Sequence, residues 1–195
     1  MDQADTPSPK PNVLLIAGSL REQSFNRQMA QFVAEMLEDS ANASILDWKD
    51  VPIFNQDEEF PTPSSVARVR EAVAAADALW FFVPEYNHGV PGPFKNLIDW
   101  LSRPLEDGSP AVIIGKIATV SGVGGSACTR YSHSALLPTL DFLQMRIVPV
   151  NFTGMSFDRT MFTSNILQLS EANKVSLKNQ ATGLFTEIAK QAKNA

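Results

Sequence analysis

The chain has 195 residues, 44% of them hydrophobic, which is enough to bury one substantial core and excludes the disordered, collagen-like and membrane-spanning classes. With 16 basic against 21 acidic residues the net charge is −5 and the pI near 5.0, so no global positive field is on offer to nucleic acid. An anionic ligand must then be held by local geometry.

Met1 to Pro11 is polar and proline-rich, without the basic start and apolar run of a secretory leader. It is expected to form a flexible tail ahead of a single domain over 12–195. Asn12 to Ala17 (NVLLIA) reads as the first strand and runs into Gly18-Ser19-Leu20-Arg21-Glu22-Gln23-Ser24-Phe25-Asn26. A helix over Asn26 to Leu37 follows, with Met29, Phe32, Val33, Met36 and Leu37 on one face. Ala43 to Leu46 makes a short second strand near an edge. Trp48 to Pro63 is irregular and contains Asp57-Glu58-Glu59, read as a solvated acidic turn, before Ser64 caps a helix ending near Ala76.

The third strand, Ala78 to Val83, is wholly apolar and passes at once into Pro84-Glu85-Tyr86-Asn87-His88-Gly89. Pro93 then fits the first turn of a helix ending at Leu101, where its missing N–H costs nothing. Ile117 to Val120 is the fourth strand, followed by the loop Ser121-Gly122-Val123-Gly124-Gly125-Ser126 and a long helix over Ser126 to Met145 that contains Pro138. Ile147 to Phe152 supplies a fifth strand and Glu171 to Lys193 a last helix. This alternation predicts an α/β fold, a flavodoxin-like three-layer sandwich whose five-stranded parallel sheet has the order 2-1-3-4-5.

Three loops follow strands on what would be one rim of that sheet, where open α/β folds bind ligands. The first offers a phosphate converging donors: the hydroxyls of Ser19 and Ser24, the amide of Asn26, the cation of Arg21 and a helix N-terminus. The second offers a backbone fixed by Pro84, close approach at Gly89 and Gly92, and the aromatic face of Tyr86 for a flat ring. The third has three glycines in four residues, which leaves N–H groups open to acceptors on a ring edge. Read singly, each loop is also an ordinary capped or glycine-rich turn.

Other chemistries find no footing. No Gly-x-x-x-x-Gly-Lys run marks a P-loop and no G-x-G-x-x-G follows the first strand, so the phosphate sought is a monoester. His88, His133 and Cys128 have no zinc spacing, and no G-x-S-x-G elbow is present. His88 lacks a carboxylate or nucleophile at informative spacing, so neither a catalytic dyad nor a metal is expected. The single cysteine precludes an internal disulfide and favours a reducing cytoplasm.

Gly18-Ser19-Leu20-Arg21 with Ser24 and Asn26, the stretch from Pro84 through Gly92 into Lys95-Asn96-Leu97-Ile98-Asp99-Trp100, and Ser121-Gly122 with Gly124-Gly125 resemble the NAD(P)H-dependent FMN reductases, the flavodoxin-like group of quinone, chromate and azo reductases. The resemblance covers about Asn12 to Phe152. It implies FMN as cofactor and NADPH or NADH as co-substrate. It further implies that Gly18, Ser19, Arg21, Ser24, Phe25 and Asn26 bind around the FMN phosphate, Pro84, Glu85, Tyr86 and Asn87 along the isoalloxazine, and Ser121, Gly122, Gly124 and Gly125 at its pyrimidine edge. Ping-pong hydride transfer to a small-molecule acceptor and a homodimer or dimer of dimers belong to the same expectation. A flavodoxin-type electron carrier and a non-catalytic flavin-binding module are the alternatives.

Overall fold

A computed structural model describes residues 9–194. Twelve elements of sheet and α-helix follow in chain order: β1 Asn12–Ala17, α1 Phe25–Leu37, β2 Asn42–Ile45, α2 Ser64–Ala75, β3 Ala78–Phe82, α3 Gly92–Leu101, β4 Ile117–Gly124, α4 Arg130–Phe142, β5 Arg146–Ile147, β6 Thr153–Ser156, α5 Arg159–Ser164 and α6 Glu171–Asn194. The strands pair in parallel in the order β2-β1-β3-β4-β5, as the alternation predicts, and β6 adds to β4.

Period-two alternation sorts the side chains into two cores. Leu14, Ile16, Leu79, Phe81 and Val120 face α2, α3 and α4 through Val73, Phe94, Leu97 and Leu140. Val13, Leu15, Trp80, Phe82 and Val123 face α1 and α6 through Met29, Val33, Leu177 and Leu184. Strands covered on both faces read as unbroken apolar runs, and β3 is buried along its whole length.

Several boundaries differ from the sequence reading. β4 runs on to Gly124, fully buried, so Ser121, Gly122 and Gly124 are strand residues and only the chain from Gly125 onward is loop. The expected fifth strand over Ile147 to Phe152 is not formed: only Ile147 is in β5, residues 148–152 are irregular, and β6 follows from Thr153, with Ala118 pairing Ile147 and Ser121 pairing Thr153. The edge chain thus advances 153 − 147 = 6 residues while β4 advances 121 − 118 = 3. Gln180 of α6 fills the resulting gap. Its amide donates to the Val120 carbonyl at 2.9 Å and Thr119 Oγ1 at 2.8 Å, and its Oε1 accepts from Ser121 Oγ at 2.8 Å and Thr153 N at 3.0 Å. A side chain thereby satisfies backbone groups that a regular ladder would have paired.

α4 begins at Arg130, later than Ser126, because Cys128 and Thr129 have φ of 51° and 63°. Ser64 is the first helical residue of α2 and Pro63 its cap, with no side-chain capping bond. The acidic turn is not wholly solvated: Glu59 is 4% exposed and takes both Nε and Nη2 of Arg103, at 2.9 and 3.0 Å. Of the tail read over 1–11, residues 1–8 lie outside the described residues. Lys10 and Pro11 are tied down, by Lys10 Nζ donating to Glu38 O and Asn42 N donating to Pro11 O.

Candidate functional site

The carboxyl ends of β1, β3 and β4 bring the three loops to one rim. Gly18 N donates to Phe82 O at 2.8 Å, and a Cβ on Gly18 would stand 3.2–3.3 Å from Pro84, Phe82 O and Phe94. The first loop therefore lies against the second because glycine occupies that position. Ser19 Oγ and Tyr86 Oη, 3.3 Å apart, join the two loops, and Ser19 Oγ also accepts from Arg21 N at 3.4 Å. Trp48 closes the outer side by donating its indole N–H to Ala17 O, over a cavity of about 370 Å³ lined by Ser19, Arg21, Arg27 and Lys49.

Ser24 is the N-cap of α1: its Oγ accepts from Arg27 N at 3.3 Å, which leaves the hydroxyl proton free to donate outward. The first-turn N–H groups of Phe25 and Asn26 point the same way and have no intrahelical partner. Asn26 departs from its expected part. Its buried amide is spent on Val123, donating to the carbonyl and accepting from the N–H, both at 2.9 Å. Only its backbone N–H remains for an anion. Arg21 has no carboxylate partner among the described residues; its guanidinium donates to Asn165 Oδ1 and lies 5.8 Å over the Phe25 ring.

In the second loop Tyr86 and Gly89 exchange backbone bonds at 3.2 and 3.0 Å around Asn87 and His88, whose φ values are 51° and 59°. Two successive residues with positive φ make a tight reversal, and they set Tyr86, 49% exposed, at the rim. Glu85 is turned inward. Its Oε2 accepts from Tyr131 N at 2.8 Å and Ser132 N at 3.3 Å, capping α4, whose own cap residue Thr129 makes no side-chain capping bond. A carboxylate at a helix N-terminus is favoured by both the orphan donors and the dipole. His88 makes no hydrogen bond among the described residues; it packs on Tyr131 with centroids 4.4 Å apart.

The third loop is the most revised. Ser121 is fully buried, accepting from Trp80 Nε1 at 2.9 Å and donating to Gln180, so its hydroxyl serves the core. A Cβ on Gly122 would lie 2.3 Å from Val83 O, and one on Gly124 2.9 Å from Thr129 Cγ2. Both glycines are required by neighbouring chain. Only Gly125, exposed and with nothing within 4 Å of its Cβ position, faces open space. Beneath the loop, burial pushes His133 down to about 4, so the imidazole, within 3.0 Å of Thr129 Oγ1, is neutral near pH 7.

Sequence reasoning missed a fourth wall. Phe157 N donates to Gly124 O at 3.1 Å, and the chain then passes through α5 to Asn165 beside Arg21, bridging the third loop to the first. Phe157 packs on Phe25 at 5.6 Å and on Phe162 at 5.8 Å. Asp158, whose Oδ1 accepts from Met161 N as the α5 cap, was its only local signal. A larger hollow of about 760 Å³ lies over Pro149–Asn151 and α6 and contains no rim residue. Among the described residues no cluster could hold a metal ion, and no helix is long and apolar enough to cross a membrane.

The rim's donors suit a dianionic phosphate monoester: two hydroxyls, first-turn N–H groups and one guanidinium without a carboxylate. Tyr86 and Gly125 are both exposed on the same rim. Residues 11–159 match the model of a protein family described as NADPH-dependent FMN reductase. An NAD(P)H-dependent FMN reductase of Pseudomonas aeruginosa is 39% identical over 133 residues, covering 66% of this chain and 70% of that one. A 2-hydroxy-1,4-benzoquinone reductase of a Burkholderia species is 32% identical over 137 residues, covering 68% and 73%. The solved structure of FerB, a flavoenzyme NAD(P)H:(acceptor) oxidoreductase from Paracoccus denitrificans, shares the fold, with a TM-score of 0.78 at 24% identity over 92% of this chain and 98% of that one.

Proposed function

Since the chain belongs to the NADPH-dependent FMN reductase family and is an NAD(P)H-dependent oxidoreductase that works with FMN, we propose that it reduces a small-molecule acceptor in ping-pong fashion. The acceptor class is quinone, azo or metal-oxyanion, or free flavin; the quinone reductases among its relatives support the first of these. The observation that carries the reading is the convergence of Ser19, Arg21, Ser24 and the α1 N-terminus beside an exposed Tyr86.

FMN held by these residues would supply the hydride chemistry between nicotinamide and acceptor. Every other task falls to the chain. Ser19 and Ser24 donate hydroxyl protons to the phosphate, Phe25 and Asn26 donate backbone N–H groups, and Arg21 balances its charge. Gly18 keeps these donors close against Pro84, where a Cβ would crowd Pro84, Phe82 O and Phe94 at 3.2–3.3 Å. Pro84 to Asn87 run along the ring, with Glu85 holding that loop to α4 through its cap. Gly122 and Gly124 let β4 pack close enough to present Gly125 at the ring edge. Neutral His133 holds up the loop from below and transfers no proton.

A cytoplasmic setting, where nicotinamides are plentiful, and a homodimer or dimer of dimers complete the proposal. Exposed Phe142 of α4 lines a groove of about 360 Å³ with Ile98 of α3, and with Tyr131 and Leu137, exposed on the same helix, it supports self-association. Purified protein should be yellow and should oxidise NADPH or NADH when a quinone or ferricyanide is supplied. A colourless protein indifferent to added FMN refutes the reading, and tight FMN binding without turnover of any acceptor reduces it to a flavin-binding module.

A further inference from the structure

Arg21, although exposed, has a partner in this fold. Its guanidinium donates to Asn165 Oδ1, and Asn165 is itself held through both of its backbone groups. Its N–H donates to Met161 O at 2.8 Å as the left-handed residue ending α5, with φ of 58°. Its carbonyl accepts from Gln28 Nε2 at 2.9 Å, while Leu167 N donates to Gln28 Oε1 at 2.8 Å. One carboxamide on α1 thus clamps the chain on both sides of Ile166. The other end of the segment is anchored at Gly124 O by Phe157 N, and the Phe25–Phe157–Phe162 contacts fill the space between.

We infer that Asn165, held in place by Gln28, is a positioning residue that aims Arg21 at the phosphate of FMN. The chemistry of the contact favours this over a mere surface bond. A neutral amide oxygen takes one of the five N–H groups of the guanidinium and leaves its charge intact, whereas a carboxylate there would neutralise it. The long arginine side chain otherwise samples many rotamers, and ordering it would be charged against each binding event. The inference rests on the first loop being the phosphate site, as proposed above.

The test compares FMN with riboflavin, which has the same ring and no phosphate, by titrating the flavin-free full-length chain. Asn165→Gly keeps the backbone bonds to Met161 and Gln28 and the left-handed φ, and removes only the carboxamide. Its FMN dissociation constant should rise about three- to tenfold, the equivalent of one rotamer-rich side chain left to be ordered on binding. Riboflavin affinity should not change. Added to Arg21→Ala, Asn165→Gly should cost nothing more, and Gln28→Ala should reproduce the FMN-selective loss. Tighter FMN binding by Asn165→Gly would show that Asn165 competes with the phosphate and overturns the inference, as would equal losses for both flavins or additive losses in the double variant. An Arg21→Ala protein with unaltered FMN affinity would show that Arg21 does not hold the phosphate and would overturn the inference, whereas wild-type FMN binding no tighter than riboflavin would refute the phosphate site itself.

Discussion

Gln180→Met keeps the approximate volume of a fully buried side chain and removes all four hydrogen bonds that it makes across the gap between β4 and β6. The hydroxyls of Thr119 and Ser121 can rotate to other partners, and Ser121 still accepts from Trp80. Val120 C=O and Thr153 N–H cannot turn away. Each buried backbone group left unpaired costs about 1–3 kcal/mol, so the substitution should destabilise by about 2–6 kcal/mol, a large share of the 5–15 kcal/mol typical of a domain. Urea unfolding of the wild type and variant at neutral pH measures this directly, provided the slope with denaturant is unchanged. Gln180→Glu adds a sign. A protonated carboxyl can still donate to Val120 O, whereas a carboxylate cannot, so the folded state raises its pKa. Stability should then be best at low pH and fall as pH rises above about 4.3, the ordinary glutamate value. A loss under about 1 kcal/mol for Gln180→Met would show that β6 is held to β4 without this bridge.

Gly122→Ala sets a Cβ 2.3 Å from Val83 O, a clash only backbone movement relieves, so it should destabilise by about 1–3 kcal/mol in thermal unfolding, while Gly125→Ala, which meets nothing, should be near neutral to stability. Because burial holds the folded pKa of His133 at about 4, well under its usual 6.5, the unfolded chain takes up that proton first as pH falls. Its stabilising contribution is complete above pH 6.5 and is lost down to pH 4, by at most about 3 kcal/mol. Urea midpoints across that window should flatten in His133→Gln, and an unchanged slope would show that the imidazole titrates normally.

The strand order was legible because βα alternation and uninterrupted apolar runs leave a parallel sheet few other arrangements. The donor-rich first loop was legible too, as Ser, Asn and Arg side chains ahead of an amphipathic run, although the helix starts at Phe25, one residue earlier than read, and Ser24 caps it. Tertiary pairings were not. The amide of Asn26 could have turned to a phosphate or to a strand, and only the arrival of Val123 decides between them. Glu59 looked solvated until Arg103, 44 residues on, met it. The contact between Arg21 and Asn165 spans 144 residues, beyond any local pattern.

The glycines make the sharpest case, because a missing Cβ says that something comes close and not what. In Ser121 to Ser126 the run reads as room for a ligand, yet Val83 O and Thr129 take that room at Gly122 and Gly124. Gly154, in β6, is kept small in the same way by Cys128 O, 2.1 Å from its Cβ position. These three positions pack around one feature, the left-handed pair Cys128-Thr129 at the start of α4. A β-branched residue rarely adopts that conformation, so its neighbours must hold it there. The Glu85 cap and the Thr129–His133 contact do so from one side, and the glycines admit it from the other. What the sequence shows as a glycine-rich loop with its N–H groups open is therefore mostly a tightly packed support, and only its end at Gly125 is exposed.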